Sequence, residues 1–100
     1  MARNPNTTTS GRSFDEATIE AVWKKGTLEP GFPGFRKDTC KASMQRTKYG
    51  QTVQFGWEID HIRPVSKGGM DVLSNLQPLQ WENNRHKGDT HANWSCKIKN

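Results

Sequence analysis

Trp57-Glu58-Ile59-Asp60-His61-Ile62-Arg63-Pro64-Val65-Ser66-Lys67-Gly68-Gly69, with Leu73-Ser74-Asn75-Leu76 and Asn84-Arg85-His86-Lys87-Gly88-Asp89 after it, decides how this chain is read. In residues 57–60 two apolar side chains alternate with two carboxylates, the period of a strand with one face turned inward and the other carrying acid. His61 breaks the alternation. In an unbroken strand its side chain and that of Asp60 point to opposite faces, so joint work on one ligand requires the strand to twist or end there. Arg63-Pro64 and Gly68-Gly69 supply the ending, because proline cannot continue a central ladder. Residues 76–79 read as the returning strand, closed by Pro78, and residues 80–87 as a two-turn helix stopped at Gly88.

The Asp-His pair on its first strand, the Lys67-Gly68-Gly69 loop, the Leu73-Ser74-Asn75-Leu76 run and the Asn84-to-Asp89 helix agree in order and spacing with a known motif. Over about a third of its length the sequence resembles the HNH endonuclease family. The resemblance implies a ββα-metal core spanning residues 57–89 and hydrolysis of DNA phosphodiester bonds by a histidine-activated water with one divalent cation. By resemblance His61 is the general base, Asp60 and Asn84 bind the cation, and Asn75 fixes the loop. The family's usual third histidine aligns with Asn84, and its frequent cysteine pairs are replaced here by Trp57, Trp81 and Asn83, so no structural zinc is expected.

The residue chemistry suits those roles. A free imidazole titrates near ~6.5 and can take a proton from water at neutral pH. Asp60 and Asn84 offer hard oxygen atoms, which place Mg²⁺ or Mn²⁺ ahead of Zn²⁺ or Ni²⁺. Lys87 follows Asn84 by three residues on the same helical face and is a candidate phosphate contact. Arg63, Lys67, Arg46 and Lys48 are further candidate nucleic-acid contacts. His86 falls about 200° around the helix from Asn84, which disfavours ligation. His91 lies beyond the Gly88 stop and has no assigned place, and Glu58 shares the strand face of Asp60 either as a supporting carboxylate or as an edge acid paired with a nearby arginine.

Outside the motif the chain is short and polar. One hundred residues with 31% hydrophobic side chains make a single lean domain, in which four Trp, four Phe and one Tyr supply much of the packing. The formal charge of +5 suits a polyanionic partner. Arg36, Lys37, Lys41, Arg46 and Lys48 gather in one stretch opposed by Asp38.

Residues 1–12 have almost no apolar side chain and read as a flexible tail, leaving 13–100 as the domain. Ser13 with Glu16 is a capping-box pattern before a helix whose apolar arc is Phe14, Ala17, Ile19, Ala21, Val22 and Trp23, stopped at Gly26. Residues 27–35, rich in Pro and Gly, predict an irregular loop. Residues 39–45 and 52–57, flanking Tyr49-Gly50, predict a β-hairpin carrying the basic cluster. The fold class is therefore α+β: a ββα-metal core with an N-terminal helix and a preceding β-hairpin.

The residues leave three functional readings. A metal-dependent DNA endonuclease of low sequence specificity leads. A non-catalytic nucleic-acid-binding module and a nuclease toxin held by an acidic immunity protein are the alternatives, and a dimer or larger nuclease assembly stays open. With no signal-peptide pattern and no apolar run able to span a membrane, a cytoplasmic protein with reduced Cys40 and Cys96 is the expectation, a disulfide between them being the alternative for an exported chain.

Overall fold

The computed structural model describes residues 3–99, arranged as two helices and two antiparallel sheets. Helix α1 runs Glu16–Trp23, and its N-cap is Asp15, whose Oδ1 accepts from the Thr18 amide at 2.8 Å. The sequence pattern placed the cap at Ser13. Asp15 displaces it because an extended Asp two residues later reaches an orphan amide of the first turn. The buried residues of α1 are Ile19, Val22 and Trp23.

The first sheet has the order β1-β2-β3, with β1 Thr27–Leu28, β2 Phe35–Lys37 and β3 Ser43–Gln45. The predicted hairpin is thus displaced toward the N-terminus: Phe35 pairs with Gln45 and Lys37 with Ser43, while residues 46–56 hold one helical turn, Arg46–Lys48, and a single bridge from Tyr49 to Trp57. Asp38 explains the shift. Its Oδ1 accepts from the Cys40 and Ala42 amides, both at 2.9 Å, and closes the tight turn around Lys41, which sits at φ +66°. Even the Pro- and Gly-rich run contributes a short strand, β1, at the sheet edge.

The second sheet is β4 Trp57–His61 paired with β5 Leu76–Gln80, from Trp57 opposite Gln80 to His61 opposite Leu76. Pro78 lies inside β5 instead of closing it. The amide of Ile59, directly opposite, points outward to the Asn6 side chain at 2.8 Å, so this register position asks for no ladder bond from proline. Helix α2, Trp81–Lys87, follows at once, with the Gln80 side chain accepting from the Asn83 amide and Gly88 at its C-terminus.

Helix α1 packs on one side of the β4–β5 pair and α2 on the other. Trp57 and Ile59 join Phe14, Ile19, Val22, Trp23, Met44 and Leu76 in the core, where the Trp57 ring lies 5.0 Å from Trp23 and 4.9 Å from Tyr49. The alternate residues, Glu58 and Asp60, face α2 and are buried beneath it. The acid face of the strand is therefore covered, which the alternation alone did not reveal.

Both ends are laced to this frame. Cys40 and Cys96 form a disulfide, which corrects the expectation of reduced thiols and ties the β2–β3 turn to the C-terminal segment. Asn83, fully buried, accepts from the Lys97 and Ile98 amides at 2.8 and 2.7 Å and donates to the Ile98 carbonyl. At the other end residues 3–13 make a turn, with a Thr7–Ser13 bridge, and bond to Ile59 and Asp71 through Asn6 and Thr9. That segment has specific partners where composition suggested a tail. Among the described residues no helix is long and apolar enough to cross a membrane.

Candidate active site

The loop between β4 and β5 is set by local chemistry. Gly68 takes φ +86°, and a Cβ on Gly69 would meet the Arg63 carbonyl oxygen at 1.7 Å, so the Gly-Gly pair is required by a close backbone approach. Asn75 spans that loop: its Oδ1 accepts from the Arg63 amide at 2.8 Å, and its Nδ2 donates to the Arg63 and Met70 carbonyls at 3.1 and 3.0 Å. This is a clamp that fixes where β4 ends and His61 begins to turn.

His61, Asp60 and Asn84 all line one cavity of about 260 Å³, bordered also by Arg85, Asp89 and residues 3–7. His61 closes β4; its ring packs 5.9 Å from that of Phe14, and its Nε2 lies 2.8 Å from Asp71 Oδ1. Asp71 is bonded in turn by the amide and hydroxyl of Thr9. Partial burial works to raise the Asp71 carboxyl, but the hydrogen bonds from His61 and Thr9 outweigh it and hold the group below the ordinary carboxylate range.

Asp60 is 5% exposed. Its Oδ2 accepts from Gln77 Nε2 at 2.9 Å and its Oδ1 from Lys87 Nζ at 3.0 Å. Burial pushes its carboxyl above the ordinary value, against the Gln77 hydrogen bond and the Lys87 charge that favour the anion. Asn84 donates Nδ2 to Glu58 Oε1 at 2.7 Å, and a carboxylate can only accept, so the amide oxygen is the atom left for another partner. Glu58 is gripped at the same time by Arg85, at 2.7 Å from Nη2 to Oε2. Of the two readings of Glu58, pairing with a nearby arginine is the one the structure shows, and the carboxylate also holds Asn84 while making no hydrogen bond with Asp60.

Of the candidate nucleic-acid contacts, Lys87 does not fit. At 1% exposure it is buried, bonded to Asp60 and to the His61 carbonyl, because the helical face it shares with Asn84 is the one turned onto β4. Arg46 is drawn to Glu20 at 2.9 Å and lies over Trp57. Arg36 donates to the Lys24 and Gly26 carbonyls, and Lys37 pairs with Glu29 at 3.8 Å, so the basic cluster is largely engaged within the domain. Arg63 and Lys67 are exposed on the β4–β5 loop, and Lys48 is half-buried. His86 and His91 are exposed. Sequence reasoning missed Asp71, Thr9 and Asn6, which are ordinary polar residues in the sequence and acquire a role only through contacts more than fifty positions apart or across a loop.

Among the described residues no three His, Cys, Asp or Glu side chains cluster as a metal cage. The cavity lining offers oxygen donors, among them the Asp60 and Asp89 carboxylates and the Asn84 amide, and no thiol, a chemistry that suits a hard divalent ion retaining several waters better than a thiophilic one. The family model described as HNH endonuclease matches residues 50–90. No curated protein and no solved structure matches the chain.

Proposed function

We propose that the chain, whose residues 50–90 match the HNH endonuclease family model, is a divalent-metal-dependent endonuclease hydrolysing DNA phosphodiester bonds. The carrying observation is that Asp60, His61 and Asn84, from the end of β4 and the middle of α2, line one cavity. In this reading β4, β5 and α2 form a ββα-metal core. His61 accepts a proton from water, whose oxygen forms a new bond to phosphorus as the bond to the 3′ oxygen breaks. The departing oxygen takes a proton from solvent, leaving 5′-phosphate and 3′-hydroxyl ends. Asp60 and Asn84 are the residues that would hold the cation, which when bound would supply charge neutralisation for the transition state. Asn75 keeps the loop, and through it His61, in register. Arg63 and Lys67, exposed on the β4–β5 loop, are suited to DNA phosphates, and the exposed Arg3 and Arg85 line the cavity itself.

The Lys87 ammonium on Asp60 favours a second reading, in which the carboxylate is already neutralised and the scaffold binds nucleic acid without cutting it. Supercoiled plasmid incubated with Mg²⁺ or Mn²⁺ separates the two. Nicking that disappears with EDTA and falls at least ~100-fold in His61→Ala supports the nuclease. Salt-sensitive DNA binding with no nicking supports the binding module.

A further inference from the structure

The imidazole of His61 is held by residues that the 50–90 segment only partly contains. Its Nε2 meets Asp71 Oδ1 at 2.8 Å, and the Asp71 carboxylate is gripped by Thr9, with the backbone amide 3.1 Å from each oxygen and the hydroxyl 2.8 Å from Oδ2. Thr9 is itself fixed. It sits in a turn closed by the Thr8 amide on the Arg12 carbonyl at 2.7 Å, beyond which the Thr7–Ser13 bridge joins the two arms. Just before that turn Asn6 docks on the outer edge of β4 through the Ile59 amide. Phe14, the next residue after the bridge, packs against the His61 ring.

This arrangement has a chemical consequence. A carboxylate accepts hydrogen bonds and cannot donate them, so the Asp71 contact places the proton of the neutral imidazole on Nε2 and the lone pair on Nδ1. His61 is the last residue of β4, and the strand ladder by itself fixes neither the ring's rotation nor its tautomer.

We propose that Asp71, clamped by Thr9, is the positioning residue that fixes the orientation and the Nε2–H tautomer of His61, making Nδ1 the proton-accepting atom and making residues 6–13 part of the site. The inference rests on the reading of His61 as general base, yet the clamp can be measured without turnover.

The test uses the full chain labelled with ¹⁵N. Long-range ¹⁵N–¹H correlations, recorded where the ring is neutral, report the His61 tautomer in the wild type and in Asp71→Ala, Asp71→Asn and Thr9→Val. Plasmid nicking with Mn²⁺ gives kcat and KM for the same proteins. The wild type shows the Nε2–H form, and Asp71→Ala shows a mixture. Its kcat falls on the order of 10–100-fold, the loss typical for partners that orient a functional imidazole, while KM stays within about twofold. Asp71→Asn keeps an acceptor for Nε2–H and recovers most of the tautomer and the rate; Thr9→Val, which retains the backbone amide, falls between. An Nδ1–H wild type overturns the proposal. So does an Asp71→Ala variant with unchanged tautomer and kcat, or one whose loss is in KM. A wild type that fails to nick but shows a locked Nε2–H ring sinks the hydrolytic reading and supports the clamp.

Discussion

Asp38 and Asp60, two of the three buried carboxylates packed against α2, differ in how completely their oxygens are used. Asp38, 4% exposed, accepts four hydrogen bonds: the Cys40 and Ala42 amides on Oδ1, the Gln80 amide and Asn83 Nδ2 on Oδ2. Asp60, 5% exposed, accepts two, from the tips of Gln77 and Lys87, and borders the cavity. A carboxylate has roughly four lone-pair sites, so Asp38 is saturated and Asp60 keeps about two open. The donors differ as well. Those of Asp38 are mostly backbone, held by the fold itself, whereas those of Asp60 are long side chains, one of them a cation that another cation can supplement. Burial of an acid therefore does not mark a functional group; unused lone pairs facing a cavity do.

The sharpest test of this contrast removes the partners. Lys87→Met strands a buried anion at Asp60 and is expected to cost about 3–5 kcal/mol, read from urea melts. Millimolar Mg²⁺ or Mn²⁺ recovers part of the loss, because a divalent ion at the open lone pairs replaces the missing charge. Asp38→Ala leaves three backbone amides and one of the two Asn83 Nδ2 hydrogens without an acceptor and costs about 3 kcal/mol or more, and divalent ions restore none of it. Equal rescue of both variants, or of neither, breaks the distinction between the two acids.

A smaller effect belongs to the Asp38 side alone. The Cys40–Cys96 bond closes a loop of sequence separation 56 and joins the Asp38 turn to the C-terminal strap. Reduction loosens the unfolded chain and is expected to cost about 2–4 kcal/mol, seen as an earlier denaturant midpoint in reducing agent. Plasmid nicking at 25 °C stays within about twofold, since neither Asp60 nor His61 touches that region. Loss of nicking on reduction, with the fold intact by circular dichroism, would show that the two ends of α2 are coupled.

The motif half of the chain was legible because its elements are written locally. Alternation in residues 57–60, the Gly-Gly loop and the Gly88 stop each fix a short piece of backbone, and β4, β5 and α2 follow them closely. The same local logic misplaced the β-hairpin, because Tyr49-Gly50 is a turn signal in composition while the turn that forms is closed by Asp38, a side chain whose pull comes from two amides and from α2. It also misjudged Lys87. Helical spacing placed the lysine on Asn84's face correctly but could not say that this face looks inward, since that depends on where β4 lies. Asn6 and Thr9 were illegible for a related reason: their partners, Ile59 and Asp71, are remote in sequence and ordinary in type.

The finest distinction between the two carboxylates is how divalent-ion binding at Asp60 responds to pH. Burial raises the folded-state pKa of Asp60 above its ordinary value of 3.8. Between the ordinary and the raised value the folded chain holds a proton that the unfolded chain has lost, so this group favours the fold at low pH and that contribution fades as pH rises through the raised pKa. A bound cation has the opposite slope, because it requires the anion. The stabilisation given by a fixed concentration of Mn²⁺ is therefore expected to be small near pH 4, to grow as Asp60 ionises, and to level off above its raised pKa. Below that pKa the apparent affinity falls roughly tenfold per pH unit, the limit for a single competing proton. Thermal melts with and without Mn²⁺ across pH 4 to 8 measure this difference directly. A Mn²⁺ effect that is flat with pH, or that persists undiminished in Asp60→Asn, places the ion elsewhere and leaves Asp60 as a second structural acid like Asp38.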